Sequence, residues 1–402
     1  MKILLLNQVF YPDVAATAQY LSDLAAALVE RGHEVTVVSS RRGYDRSETT
    51  FPARETWRGV KIIRVFSTRF GKGAKWRRAA DFASFLVSCC ARLLLLPRHD
   101  VVMALTTPPL ISFLGAWRAK LKRERFCYWV MDFNPDEAIA AGWLRADSFA
   151  AKWLERMSRF SLRRADKIIA LDRFMRDRIV AKQIATEKVA VIPPWPLDQQ
   201  VAYDAAGREA FRSAHGLTGK FVVMYSGNHS PVHPLDTLIK AAERLRGQTQ
   251  FVFCFVGGGS EFLRVKKCAE QNSQILCLPY QPLDKLSASL SAADAHVVVM
   301  GNAMLGLVHP CKIYNILTVG VPVLYIGPEP SHVTEILAGL KPARPWASVR
   351  HGADDELVNQ IHQLQRDGSA HERQPLVQVE ARYSQTALKS MVALIESAPA
   401  QA

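Results

Sequence analysis

The feature that most restricts what this chain can fold into is a strand–helix alternation that runs, stops at a proline cluster and starts again. Short apolar runs at Lys2–Leu6, Glu34–Val38, Val60–Val65, Val101–Ala104, Phe126–Val130, Lys167–Leu171 and Val189–Ile192 read as strands. Helical periodicity covers Thr17–Arg31, Arg77–Leu96, Leu110–Leu121, Ser148–Arg163 and Arg173–Lys182 between them. Pro193-Pro194-Trp195-Pro196 breaks the pattern, and a polar, helix-compatible stretch follows to about Lys220. The alternation then resumes at Phe221–Tyr225 and continues to Val321–Ile326. Such alternation predicts mostly parallel sheets with helices on both faces. The expected class is therefore α/β, with two doubly wound Rossmann-like domains at residues 1–195 and 220–380 and a linker at 196–219. Residues 381–402 read as a C-terminal helix and tail able to cross back to the first domain. Two such domains facing each other across a deep cleft would aim strand C-termini and helix N-termini into it, where open α/β sheets bind ligands.

Charge is distributed unevenly. The net formal charge is +14, and residues 60–125 carry 14 Lys/Arg against only Asp81, Asp100 and Glu124. A basic face of this kind predicts an anionic partner. Lys72, Lys75, Trp76, Arg77 and Arg78, followed by the apolar Phe82–Leu96 segment, read as a basic amphipathic element that docks on anionic lipid. Lys120, Lys122, Arg123 and Arg125 would extend that patch. The alternative is a buried helix beside a solvated basic loop. Ser84, Ser88 and Arg92 interrupt the apolar segment, which falls short of the roughly 20 residues that span a bilayer. Met1–Leu6 reads as a first strand rather than a signal segment, so the expectation is a soluble or peripheral protein. The seven cysteines form no CxxC pair or Cys/His cluster, which suits reduced thiols in a cytosol. Without a reader motif or an aromatic stacking run, no nucleic-acid partner is expected.

Five segments carry residues of chemical interest. The loop Asn7–Thr17 leaves the first strand and feeds a helix N-terminus, where the small Ala15, Ala16 and Thr17 would admit a substrate; the plainer reading is a connecting loop capped by Thr17. Asp132 follows a buried-strand pattern directly, with Asp136 and Glu137 close behind. One of these carboxylates could act as a base or hold sugar hydroxyls, or the later two could only complement a helix dipole. In Tyr225–Pro234, Gly227 permits close backbone approach, and His229 and His233 could donate to phosphate oxygens or be structural. Gly257-Gly258-Gly259 lies between a strand and a helix but is not GxGxxG, and alone could be a tight turn. In Gly306–Leu324, Pro310 sits near a helix start and Lys312 falls in the first turn, beside the end that attracts phosphate. Asn315, one turn later, could reach a ribose hydroxyl, unless the helix is simply amphipathic.

In order and spacing these segments resemble the retaining glycosyltransferases of family four, with the GT-B fold, and within them the bacterial surface-polysaccharide branch. The marks run from Met1 to about Ile395: Phe10-Tyr11-Pro12, Gly32–Val37, Asp132–Pro135, Lys188–Pro194, Ser226-Gly227-Asn228, Val256–Gly259 and Pro310–Pro322. The resemblance implies that Ala16 and Thr17 lie near the acceptor and that Asp132 contacts the reacting sugar; Glu137, beside Asp132, is expected on the acceptor side. It places Gly227, Asn228, His229, His233, Gly257 and Gly258 at the diphosphate, Tyr280 and Gln281 at the base, and Lys312 and Asn315 at phosphate and ribose. The chain departs from the family at Asn228 and His233, where Arg and Lys are frequent, and at Leu307 and Asn315, where paired glutamates stand. The clamp therefore has up to two fewer positive charges, and Lys312, His229 and helix N-termini are left to meet the diphosphate. Implied further are a nucleotide diphosphate sugar as co-substrate, no cofactor or metal, and transfer with retention. The implied acceptor is a polyprenyl-diphosphate-linked glycan, and the implied location is cytoplasmic, peripheral on the inner face of the plasma membrane. A non-catalytic GT-B scaffold and a sugar-nucleotide epimerase are the alternative readings.

Overall fold

Ile3–Leu6 are wholly buried, as expected of a parallel strand covered on both faces, and each unit of the molecule is built around such a strand. The computed structural model describes residues 1–402 apart from 14, 44–49, 72–74, 197–200, 341–344, 368–385 and 398–402, and apart from the Lys75 side chain. The chain divides into two units: Met1–Leu197 with Gly306–His309 and Gln385–Ala402, and Asp198–Leu305 with Pro310–Ser384.

In the first unit the elements run β1 (Lys2–Leu6), α1 (Ala16–Glu30), β2 (Glu34–Ser40), β3 (Arg54–Trp57), β4 (Val60–Val65), α2 (Lys75–Leu95), β5 (Val101–Ala104), α3 (Ile111–Lys122), β6 (Arg125–Trp129), α4 (Asp136–Ala140), α5 (Phe149–Arg164), β7 (Lys167–Ala170), α6 (Arg173–Ala181) and β8 (Val189–Val191). Among the described residues the sheet order is β3-β4-β2-β1-β5-β6-β7-β8, parallel except for β3 against β4. β3 was not among the apolar runs because it is a half-exposed edge strand in which Trp57 alone packs on neighbouring rings, Phe10 and Tyr11, among the described residues. Ser148 and Asp172 cap α5 and α6, accepting the amide hydrogens of Ala151 and Met175. Behind the sheet, Arg118 and Glu124 are both buried and paired at 2.7 Å.

The second unit runs α7 (Ala205–Ala214), β9 (Phe221–Asn228), α8 (Asp236–Arg244), β10 (Phe251–Gly258), α9 (Phe262–Gln271), β11 (Ile275–Leu278), α10 (Leu286–Ser291), β12 (Ala295–Val299), α11 (Lys312–Val319), β13 (Val323–Ile326), α12 (His332–Ala338), β14 (Trp346–Val349) and α13 (Asp354–Asp367). Its parallel sheet has the order β11-β10-β9-β12-β13-β14. This is the doubly wound order of a dinucleotide-type domain, with the chain reversing direction across the sheet between β9 and β12.

Two boundaries differ from the sequence reading. Most of the 196–219 segment expected as linker is not a linker: α7 belongs to the second unit. Arg208 donates to the Ser291 and Ala293 carbonyls at 2.6 and 2.8 Å and pairs with Asp294, which Arg212 also meets at 3.0 Å. The segment 306–324 is not one motif of the second domain either. Gly306–His309 joins the first unit, where the Leu307 carbonyl accepts the Phe133 amide at 2.8 Å and His309 Nδ1 meets Asp172 at 2.8 Å. A last helix, α14 (Thr386–Ser397), lies against α1 in the first unit, with Glu396 bound to Arg31 and His33 at 3.1 and 2.9 Å. The first residues expected of this segment, 381–385, lie outside the described residues.

Candidate active site

The second unit gathers most of the nucleotide-side residues beside its β9–β12 switch point. β9 and β10 pair in register to their ends, so Gly227 lies opposite Gly257 and Asn228 opposite Gly258. Gly227 has φ of 139°, and a Cβ there would stand 2.9 Å from Lys312 Nζ. The position therefore demands glycine, both for its backbone and for its clearance. A Cβ at Gly257 would strike the Gly227 carbonyl, and one at Gly258 would stand 3.2 Å from the Tyr280 ring. The half-exposed Tyr280 thus lies flat over a strip of bare backbone, and its hydroxyl reaches the Gly258 carbonyl at 3.4 Å. Gln281 Nε2 donates to the Pro279 carbonyl at 3.0 Å. Asn228 is exposed at the end of β9, and Asn315 is half-buried one turn beyond Lys312 on α11.

Lys312 is the group that decides the electrostatics. Its Nζ is buried, 3.7 Å from the Tyr225 ring centroid, and has no hydrogen-bond partner among the described residues. Burial depresses its pKa from 10.5 to about 7. An ammonium left over an aromatic face without an acceptor is a cation awaiting an anion.

The histidines correct the sequence reading. His229 is fully buried among Tyr225, Phe255 and Phe262, and its Nδ1 bonds the Gly227 carbonyl at 3.0 Å. His233 Nδ1 bonds the Val299 carbonyl at 2.7 Å. A carbonyl can only accept, so both Nδ1 atoms carry the hydrogen, and Nε2 is left as an acceptor. Burial, reinforced by the Lys312 charge, lowers the pKa to about 4 for His229 and about 3 for His233. At neutral pH neither supplies positive charge or an Nε2–H donor. His229 instead shapes the loop, and Lys312 stands as the cation of this site.

In the first unit the acids come together after β6. The Asp132 amide donates to Thr106 Oγ1 at 3.3 Å, and Asn134 Nδ2 donates to Glu137 Oε2 at 3.2 Å. Burial lifts Asp132 to about 6. Burial and then repulsion from Asp132 lift Glu137 to about 8, against the opposing pull of Arg78. Both carboxyls are thus held toward the protonated form, an arrangement typical of acid–base chemistry. Asp136 is structural: Lys182 Nζ bridges it to Glu155 at 2.7 Å on each side. α1 begins after Ala15, not at a Thr17 cap, and no side chain caps it. Ala16 is exposed and Thr17 half-exposed on that open first turn.

At the expected docking element, Lys72 lies outside the described residues, as does the Lys75 side chain. Trp76 is 62% exposed, with Arg77 stacked 5.5 Å from its ring centroid. Arg78 lies 5.4 Å from the Phe82 ring and lines a pocket beside Gln8, Arg42 and Arg69 rather than joining Trp76 and Arg77. Along α2, Phe85, Cys89 and Leu93 are buried while Val87, Leu94 and Leu95 are exposed. Among the described residues no helix is long and apolar enough to cross a membrane. The sequence reading passed over Arg42 and Arg69 as site residues; their one signal was position, each just beyond the end of a parallel strand.

Residues 16–195 match the model of a glycosyl transferase 4-like domain, and residues 207–374 match that of glycosyl transferases group 1. The chain is a glycosyltransferase. It is 25% identical over 384 residues to WcaI of Escherichia coli, named for colanic acid biosynthesis as a glycosyl transferase, covering 85% of this chain and 92% of WcaI. It is 24% identical over 242 residues to WbjE of Pseudomonas aeruginosa, named as a glycosyltransferase, covering 60% of each. Among solved structures, sucrose-phosphate synthase of Thermosynechococcus elongatus superposes with a TM-score of 0.73 at 15% identity over 98% of both chains. HepE of Anabaena, solved with UDP-glucose, superposes with a TM-score of 0.69 at 16% identity over 99% of this chain and all of HepE. The glycosyltransferase therefore has the GT-B fold, two Rossmann-like units of parallel sheet.

Proposed function

We propose that this glycosyltransferase moves a sugar from a nucleoside diphosphate donor to a lipid-linked glycan in bacterial surface-polysaccharide synthesis, with retention at the anomeric carbon and no metal. The observation that carries the reading is Lys312, a buried ammonium with no acceptor, set against the bare backbone of Gly227 on β9. As the bond from the anomeric carbon to the diphosphate breaks, the electron pair goes to the leaving phosphate. Lys312 and the first amides of α11 stabilise that charge. The acceptor hydroxyl forms the new bond on the same face and gives its proton to a leaving phosphate oxygen. Asp132 orients the reacting sugar, and Glu137 holds the acceptor side. Tyr280 packs the base, and Asn315 serves the ribose. The polysaccharide assignment draws support from the names of WcaI and of WaaG, a structural neighbour titled as acting in lipopolysaccharide biosynthesis. A nucleotide sugar donor is supported by the UDP and UDP-glucose complexes of HepE and the ADP complex of starch synthase IV. The exposed Trp76 and Arg77 support docking of α2 on an anionic inner membrane face.

A thermal-shift panel with UDP, GDP, ADP and CMP tests the donor half of this reading. One nucleoside diphosphate should raise the melting temperature in wild type and lose the effect in Lys312→Gln. Absence of any shift at millimolar nucleotide would remove the donor reading.

A further inference from the structure

α5 has two faces of different character. Ala151, Ser158, Ser161 and Leu162 are buried and hold the helix to its unit, where Phe113 of α3 meets Phe160 with ring centroids 5.4 Å apart. On the other side Phe149, Trp153, Arg156, Phe160 and Arg163 follow one another at four- and three-residue spacing and so form one stripe. Phe149 is 84% exposed and Trp153 45% exposed, and Arg156 and Arg163 also face solvent. Beside the stripe lies a hollow that offers about 810 Å³ to the centres of water-sized groups, room for a polypeptide segment and far more than one ion needs. Its walls carry Lys120 from the last turn of α3 and Lys152, Arg156, Arg159, Arg163 and Arg164 from α5, against a single acid, Glu155. That acid is already held by Lys182 at 2.7 Å and by Arg159 at 2.6 Å. Lys120, Lys152, Arg156 and Arg163 have no ion-pair partner among the described residues.

We propose that this face of α5 is a docking site for an acidic amphipathic helix of another protein, with its carboxylates in the basic hollow and its apolar side chains against Phe149 and Trp153. Charge complementarity selects the occupant: four unpaired cations in one hollow call for several carboxylates, and a guanidinium fork takes a carboxylate through two hydrogen bonds. Exposed aromatics set beside arginines are the composition of interface hot spots. A second copy of this chain fits badly, because its net charge is +14 and its own α5 would bring arginine against arginine. A bilayer surface is flat on this scale and does not enter a hollow, whereas the ridge of a helix does. The site is separate from the α2 element assigned to lipid, and it rests on no part of the glycosyltransfer reading.

The test is fluorescence anisotropy of the full chain with a labelled synthetic helix that bears glutamates on one face and leucines on the other, at physiological ionic strength. A scrambled peptide of the same composition, a uridylate oligonucleotide and sedimentation with phosphatidylglycerol vesicles are run alongside. Wild type should bind the helix, and should bind the scrambled peptide and the oligonucleotide about tenfold more weakly. Arg156→Gln/Arg163→Gln and, separately, Trp153→Ala should each weaken helix binding by about tenfold or more. Their circular-dichroism melts should be unchanged, because these side chains reach solvent. Lys266→Gln/Lys267→Gln removes the same charge from exposed positions on α9 and should bind the helix as wild type does. The proposal is overturned if wild type does not bind the helix, if the two double variants lose binding equally, or if the scrambled peptide or the oligonucleotide binds as tightly as the helix. It is overturned equally if the arginine variant loses vesicle sedimentation while keeping the helix, which would make this face a lipid surface.

Discussion

Replacing Lys312 with methionine should make the second unit more stable and the enzyme worse. In the unfolded chain the ammonium titrates near 10.5, and in the folded one near 7. Between those values the unfolded state holds more protons, so the contribution of this group to stability rises with pH; below about 7 its full cost is present. At pH 7.5 the gap of about three pH units corresponds to ~4 kcal/mol at ~1.4 kcal/mol each. The contact with the Tyr225 ring, worth ~1–2 kcal/mol, is lost on substitution. Lys312→Met should therefore gain about 2–3 kcal/mol at pH 7.5 by these figures. The gain should fade toward pH 10. Urea unfolding at pH 6, 7.5 and 9, following the transition that nucleotide shifts, measures it. The same variant should bind the donor nucleotide at least tenfold more weakly, since a charge-assisted hydrogen bond contributes ~1.5–3 kcal/mol. In wild type, nucleotide affinity should fall above pH 7 by up to tenfold per pH unit, because the bound form requires the protonated amine. A destabilised Lys312→Met protein that still bound nucleotide normally would refute this account of the site.

Other expectations follow from single contacts. Asp132→Asn should lower turnover by about a hundredfold or more with donor affinity retained, and initial rates with a nucleotide titration separate the two. Gly227→Ala should abolish donor binding, because the new methyl group meets Lys312 and the backbone angle is one that L-residues avoid; isothermal titration checks it. Glu124→Gln leaves the buried Arg118 charge unmatched and should cost ~3–5 kcal/mol in chemical denaturation without touching nucleotide affinity. Trp76→Ala with Arg77→Gln should weaken sedimentation with phosphatidylglycerol vesicles, an effect that grows at low salt, and leave transfer to a soluble acceptor intact.

Much of the fold was legible because parallel strands such as β1, β5 and β10 are buried on both faces and announce themselves as unbroken apolar runs. β3 was not, since a half-exposed edge strand needs no such run. α7 was read as linker because its attachment rests on two buried arginines, and arginine in a sequence looks like surface. In the site, Lys312 and Gly227 could be singled out from position alone, after a strand and at a helix start. The ionisation of His229 and His233 could not, because it depends on which carbonyl each ring meets and on how deeply aromatic neighbours bury it. Arg42 and Arg69 were hidden for another reason: they lie apart in sequence and share a pocket only through the strand order.

The return of α14 to α1 has a consequence for how the molecule is made. The sheet of the first unit is complete at Val191, yet the helix that covers α1 and supplies Glu396 to Arg31 and His33 follows the whole of the second unit. During synthesis, which proceeds from the N-terminus at ~5–20 residues per second, the first unit must wait roughly ten to forty seconds with that flank of α1 bare. In the second unit the last of the described elements, α13, precedes α14 in the chain, so these elements can form first. The half that is begun first is thus the half that is completed last, and a ribosome-stalled chain lacking α14 would expose α1 while already presenting a finished nucleotide-side domain.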